Sequence, residues 1–349
     1  MPTHAAAGGP PARARHVPFG VADWPVWALP GRVRYPVLLV EVTTALLVVA
    51  LIPTTVVDRA DLVATAVLVL AGLLHTEIAV GVERVRRRVT EEFHVDLTSV
   101  WTFAGALLLP PALAGSVAVV IFTHLWWRAW RPRVPPYRHL FSTATIALAC
   151  LAAAGVQSAV GDGEPGFSGT GDLLAAGLAL LVYTTVNSCL VAGAIAVSVD
   201  RPELTKLFGD WGDNALEIGT LSLGGLTAMA LSISPLLVLF VLPPLLVLHR
   251  SVMVRHLEEA ANTDSKTGLL NAAAWHTRAE RELRRARFSD GPRGVLVLDL
   301  DHFKAVNDAH GHVAGDQVLA AVAKELRDEV RERDLVGRFG GEEFVVLLA

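Results

Sequence analysis

Cysteine is nearly absent from this chain: Cys150 and Cys189 are its only two in 349 residues, and both fall inside apolar runs. That placement excludes a disulfide framework and reads as two small buried hydrophobes. Charge is also scarce, at 18% of residues, and neither sign dominates, since the formal net charge is −4. No basic surface is indicated, so no nucleic-acid partner is expected. Residues 1–30 lack the continuous apolar core of a secretory signal and read as a Pro/Ala/Arg-rich tail. No Gly-x-x-x-x-Gly-Lys-Ser/Thr loop occurs anywhere, which excludes a P-loop nucleotide site.

Apolar side chains fill the space left by charge. Hydrophobic residues make up 52% of the chain and mean hydropathy is +0.47, so a membrane portion is expected. Residues 36–57 and 62–82 are each long enough to cross about 30 Å of hydrocarbon at about 1.5 Å per residue. Residues 97–109 and 112–127 are shorter and split by Pro110-Pro111, reading as two thin spans or a re-entrant pair. Segments 139–160, 173–199, 215–232 and 235–249 follow, the last interrupted by Pro243-Pro244. The total is eight spans, or six plus the re-entrant pair. Either count puts both ends of this region on one side.

Basic residues suggest which side. Arg13, Arg15, Arg32 and Arg34 precede the first span, and Arg84, Arg86, Arg87 and Arg88 follow the second. Arg128, Arg131, Arg133 and Arg138 come next, then Arg201 and Lys206, then Arg250 and Arg255. The alternate connections hold only Arg59, with no Lys or Arg in 161–172. Lys and Arg stay on the cytoplasmic side, so both termini are expected inside a bacterial inner membrane. Within the spans, Glu41, His75, Glu77, His124, Asn187 and Glu217 are polar. They read as helix-to-helix hydrogen bonds, with Glu77 and His75 or His124 as an alternative metal or ligand site.

The last third changes character. Residues 245–262 run helically out of the final span, with Leu246, Met253 and Ala260 seven apart, fitting either a pairing repeat or a plain helix extension. Asn271 is a plausible N-cap to a helix through Phe288 with Trp275, Ala279 and Leu283 on one face. A later helix near 313–330 carries Val318, Leu319, Val322 and Leu326. The apolar run Gly294–Leu298 reads as a buried strand ending on Asp299 and Asp301. Two further runs, Leu335–Phe339 and Phe344–Ala349, flank Gly340-Gly341-Glu342-Glu343 and read as a hairpin, because a tight turn needs the positive φ that glycine adopts freely. If these strands are neighbours, hard oxygen ligands converge where a divalent cation fits, Mg²⁺ first among them.

Three ordered blocks here resemble a known family. Asp299-Leu-Asp-His-Phe-Lys-x-x-Asn307-Asp308, Gly311-His-x-x-Gly315-Asp316 and Gly340-Gly-Glu-Glu-Phe344 are similar to the diguanylate cyclase (GGDEF) domain. Thr263-Asp264-x-x-Thr267-Gly268-Leu269-x-Asn271 resembles its opening segment, so the likeness covers roughly 258–349. It implies a polytopic α-helical membrane domain followed by an α+β, palm-like cytoplasmic domain. The expected divisions are a tail at 1–35, a membrane sensor domain at 36–249, a connecting helix at 250–262 and the GGDEF domain from 263. The implied activity is condensation of two GTP into cyclic di-GMP and pyrophosphate by a homodimer in the lipid bilayer.

The resemblance also implies site roles. Asp299, Glu342 and the Leu300 carbonyl would hold Mg²⁺ or Mn²⁺, with Glu342 as proton acceptor and Glu343 as second candidate. Asn307 and Asp316 would read guanine, and backbone amides around His302, Phe303 and Lys304 would face the triphosphate. Arg331 and Asp334 match an inhibitory site for bound product. Two positions depart from the family pattern: Lys266 stands where leucine is usual, and Ala272 where arginine is usual. The chain stops at Ala349 in the strand after the signature, where the family continues. The domain is therefore expected to be incomplete, as a piece of a longer product or a catalytically crippled one. Two alternatives follow: a non-catalytic receptor for GTP or cyclic di-GMP, and a membrane sensor or transporter with a vestigial cyclase end.

Overall fold

The structure is a computed structural model that describes residues 24–86, 97–131, 134–162, 167, 169–199, 211–286, 293–331 and 333–348. Several residues used above lie outside that set: Arg13, Arg15, Arg87, Arg88, Arg133, Arg201, Lys206 and Phe288. The chain divides into two compact units, Met1–Val247 and Leu248–Ala349.

The first unit is a helical bundle. Its helices are α1 (Gly31–Leu51), α2 (Arg59–Arg86), α3 (Ser99–Leu108), α4 (Pro111–Leu125), α5 (Pro136–Val160), α6 (Thr170–Ser198) and α7 (Trp211–Ile233). Helix α8 (Leu242–Asn262) carries the chain onward without a break. Among the described residues, seven helical segments are long and apolar enough to cross a membrane. The two segments around Pro110-Pro111, read from the sequence as two thin spans or a re-entrant pair, differ in length. With Pro111–Trp130 helical throughout, the downstream one has full length, whereas α3 has only 10 residues, about 15 Å. Proline fits the first turn of α4, where its missing N–H costs nothing, but it ends α3. The same logic applies to Pro243 and Pro244: they lie within the last long apolar segment, Pro235–Arg255, in the first turn of α8, where a preceding 3-10 stretch, Pro235–Phe240, gives way to α-helix.

Helix α3 makes up for its length by burial, with every residue from Val100 to Leu107 shielded. Close approach of α7 depends on Gly224, where a Cβ would come within 2.8 Å of the Val100 carbonyl oxygen. Polar groups link the helices in pairs. Trp101 Nε1 donates to His75 Nδ1 at 3.4 Å, Ser99 Oγ to Thr220 Oγ1 at 3.0 Å, and Asn187 Nδ2 to Glu217 Oε1 at 3.4 Å. Glu77 meets His124 Nε2 at 3.0 Å and accepts from Arg128 Nε and Nη2 on its two oxygens, while His75 turns instead to Trp101. Among the described residues no group of three His, Cys, Asp or Glu side chains could hold a metal ion. Arg128 itself sits in a π-helical turn, Trp126–Trp130, that closes α4.

The second unit is a four-stranded sheet with helices on both faces. Its strands are β1 (Leu270–Asn271), β2 (Gly294–Asp299), β3 (Leu335–Gly340) and β4 (Glu343–Leu348), in the spatial order β1-β3-β4-β2. Only the β1–β3 pair is parallel. Its helices are α9 (Ala272–Ala286), α10 (Phe303–His310) and α11 (His312–Glu329). The alternation along β4 explains the layers. Phe344 and Val346 pack with Phe303, Leu319 and Ala323, while Val345 and Leu347 pack with Trp275 and Ala279. Gly337 is a requirement of this packing, since a Cβ there would lie 2.8 Å from the Trp275 ring. Strand β2 is one edge of the sheet, with Val295, Leu296 and Val297 exposed on it, so the run Gly294–Leu298 is a strand but not the buried one its apolar sequence suggested.

Candidate active site

Two strand ends and a hairpin tip meet at one edge of the sheet. Asp299, the last residue of β2, is the direct cross-strand partner of Glu343, the first of β4. The Leu300 amide then donates to the Glu342 carbonyl at 3.3 Å, so the pairing continues one residue beyond the ladder. Carboxylates from Asp299, Glu342 and Glu343 thus come from two pieces of chain hydrogen-bonded to each other. The Leu300 carbonyl accepts the Phe303 amide at 3.3 Å, which leaves its second lone pair available. The hairpin tip needs its glycines: φ is +144° at Gly340 and +52° at Gly341.

Helix α10 starts against this edge through a strained residue. His302 has φ +60°, the one non-glycine positive φ among the described residues. Such strain is kept where the surrounding structure fixes it, often at functional sites. The His302 and Lys304 amides make no backbone hydrogen bond among the described residues. One turn later, about 6 Å along the axis, α10 presents Asn307. A Cβ on Gly315 of α11 would lie 2.0 Å from Asn307 Oδ1, so only glycine lets this amide sit beside the start of α11. The next residue, Asp316, forms an ion pair with Lys266, Nζ to Oδ1 at 2.7 Å.

Arg331 and Asp334 do not join this cluster. They close a turn on each other, the Arg331 amide donating to Asp334 Oδ2 and the Asp334 amide to the Arg331 carbonyl, both at 2.9 Å. Strand β3 separates them from the hairpin tip by about 20 Å at 3.3 Å per residue.

A residue that the sequence reading passed over holds the tip in place. Arg338 is 8% exposed; its Nη1 donates to both oxygens of Asp264 at 2.9 and 3.0 Å, and its Nη2 to the Gly341 carbonyl at 2.6 Å. Asp264 Oδ1 also accepts the Thr267 amide and hydroxyl, at 3.0 and 2.7 Å. Burial pushes the Asp264 carboxyl up, but the Thr267 hydrogen bonds and the Arg338 guanidinium together hold it below its ordinary range. An arginine inside the apolar run Leu335–Phe339 was the available signal. Asn271 caps α9 as expected, accepting the Ala274 amide at 3.0 Å, and its Nδ2 also donates to the Ala261 carbonyl near the end of α8 at 2.6 Å.

Residues 261–349 match the family model described as "Diguanylate cyclase, GGDEF domain". This part of the chain is a GGDEF domain. It is 52% identical over 96 residues to diguanylate cyclase DgcP of Pseudomonas aeruginosa, covering 27% of this chain and 14% of DgcP. It is 36% identical over 95 residues to the probable diguanylate cyclase DgcC of Escherichia coli, covering 27% and 26%. Among solved structures, the GGDEF domain is 48% identical to that of TpbB (YfiN) from Pseudomonas aeruginosa, covering 25% of this chain and 51% of that one, with a TM-score of 0.24. It is 36% identical to the GGDEF domain of DgcB from Caulobacter crescentus in complex with c-di-GMP, covering 25% and 50%, TM-score 0.25. The chain therefore spans about a seventh of the length of DgcP and about a quarter of DgcC.

Proposed function

We propose that the chain is a membrane-anchored diguanylate cyclase whose GGDEF domain condenses two GTP into cyclic di-GMP, under control of the helical N-terminal unit. The observation that carries this reading is the pairing of Asp299 with Glu343, extended by the Leu300–Glu342 hydrogen bond. That pairing supports a meeting of hard oxygen donors at one place. With two carboxylates and a carbonyl, the set suits Mg²⁺ or Mn²⁺, which take few protein carboxylates and complete their shell with substrate phosphates. When bound, the cation supplies charge neutralisation at the phosphate under attack.

The remaining chemistry falls to the chain's own groups. Asp299, Glu342 and the Leu300 carbonyl hold the cation. The amides of His302 and Lys304, at the positive end of α10, face the triphosphate. Asn307 and Asp316 take the guanine edge. Glu342, with Glu343 as second candidate, accepts the proton of one GTP's 3′-hydroxyl as that oxygen bonds the α-phosphorus of the other and pyrophosphate leaves. Two such steps close the ring. Each domain presents one GTP, so the working unit is a homodimer with facing sites.

The arginine pattern of the sequence supports cytoplasmic termini for the membrane unit, connections rich in arginine, with Arg128, Arg131, Arg138, Arg250 and Arg255, alternating with ones that hold only Arg59. Arg331 and Asp334, which the family resemblance assigns to an inhibitory product site, would take product phosphates there. Incubating the purified chain with GTP and Mg²⁺ tests the reading. Cyclic di-GMP formation that disappears in Glu342→Ala is the expected result. Tight cyclic di-GMP binding without turnover, abolished by Arg331→Ala, would make the chain a receptor instead.

A further inference from the structure

Lys266 stands on the opening turn of the GGDEF domain, where the family resemblance leads one to expect leucine. The turn is rigid. Asp264 accepts the Thr267 amide, its carbonyl accepts the Gly268 amide at 2.8 Å, and Arg327 donates to the Thr267 carbonyl at 3.3 Å. From this base Lys266 reaches across 50 residues of sequence to Asp316 Oδ1 at 2.7 Å. Both side chains are nearly half exposed, at 46% and 44%. An ion pair so wet adds little to stability and rearranges at little cost. Its place beside Asn307 gives it another use.

We propose that Lys266 is a specificity-determining residue that reads guanine's O6 while Asp316 reads the neighbouring N–H groups; this rests on the GTP reading above. The guanine edge runs acceptor (O6), donor (N1–H), donor (N2–H). A carboxylate takes the two donors but offers nothing to O6, and an ammonium supplies the missing donor. The 2.7 Å contact already holds a donor and an acceptor side by side, as that edge needs. Adenine carries an amino donor in place of O6 and an acceptor in place of N1–H, so the same pair meets it with donor against donor and acceptor against acceptor. A site built to hydrogen-bond one edge rejects the analogue that leaves its polar groups unmatched.

The test is equilibrium binding of three unreactive probes to the purified chain with Mg²⁺: the 3′-deoxy triphosphates of guanosine, inosine and adenosine. None has the 3′-hydroxyl needed for condensation. Inosine keeps O6 and N1–H but lacks the 2-amino group. In Lys266→Leu, affinity for the guanosine and inosine probes should fall about tenfold each, with the adenosine probe unchanged and the melting temperature retained. Lys266→Arg should recover part of the loss. Unchanged or tighter guanosine binding in Lys266→Leu would overturn the proposal, leaving Lys266 as a mere cover for Asp316. An equal loss for all three probes would overturn it too, as a charge effect on the phosphates. If the parent chain itself does not prefer guanosine to adenosine, the GTP reading fails first and the proposal with it.

Discussion

Replacing Arg338 with methionine keeps most of the side-chain volume and removes every polar contact at the base of the hairpin tip. The guanidinium is 8% exposed and makes four hydrogen-bond contacts, two to the Asp264 carboxylate and two to the Gly341 carbonyl. Removing one partner of a buried ion pair typically costs about 3–5 kcal/mol because the other charge stays behind unpaired. Here Asp264 is 22% exposed and keeps its two Thr267 hydrogen bonds, so about 2–3 kcal/mol is the better figure. The loss is local to the sheet of the GGDEF domain. Amide hydrogen exchange on the whole chain in nanodiscs reads it directly, since opening free energy sets the exchange rate in protected strands. Amides of β3 and β4 should exchange roughly 30- to 150-fold faster in Arg338→Met, at about 1.4 kcal/mol per tenfold, while α5 and α6 of the first unit stay as they were. Exchange in β3 and β4 within a factor of three of the parent would refute the claim that Arg338 ties the signature to the opening turn.

Several other outcomes follow from the same geometry. The Asp264 carboxyl is held below its ordinary value, so its contribution to folding is complete above the ordinary carboxylate range and is lost as pH falls through the lower folded value; acid unfolding of Asp264→Asn should lack that component, and a matching acid limb would contradict it. Gly315→Ala places a Cβ 2.0 Å from Asn307 Oδ1 and should weaken guanosine triphosphate binding at least tenfold, read by titration calorimetry. Gly341→Ala, at φ +52°, should cost about 1 kcal/mol in β3–β4 protection and lower cyclic di-GMP turnover by displacing Glu342. In the first unit, Gly224→Ala drives a methyl to 2.8 Å from the Val100 carbonyl and should lower the melting temperature, while Gly225→Ala, whose nearest neighbour would be at 4.0 Å, should leave it unchanged.

The parts of the fold that follow from local pattern were readable in advance. Gly340-Gly341 announced the hairpin because only glycine takes those φ values cheaply, and the alternation Phe344, Val345, Val346, Leu347 gave a strand buried on both faces. Asp299 fell at its strand end as expected, since an apolar run stops where its carboxylate begins. The expected helix near 313–330 is α11, though the short α10 before it needs His302 in a left-handed conformation that no spacing rule predicts. What stayed hidden depends on contacts between distant residues. Arg338 with Asp264 is 74 residues apart and Lys266 with Asp316 is 50, and neither pair leaves a periodic trace. The unequal helices around Pro110-Pro111 were missed for a related reason: hydropathy measures apolar length, whereas proline sets where the helix stops.

Mn²⁺ affinity measured by electron paramagnetic resonance, with 3′-deoxyguanosine triphosphate present, tests the shared cation site most directly. Asp299→Asn and Glu342→Gln should each lower that affinity at least tenfold, and the double variant should lose little more than either single one, because both carboxylates serve the same ion. Single losses below twofold, or a double variant in which two large losses simply add, would contradict the convergence of these two carboxylates on one cation.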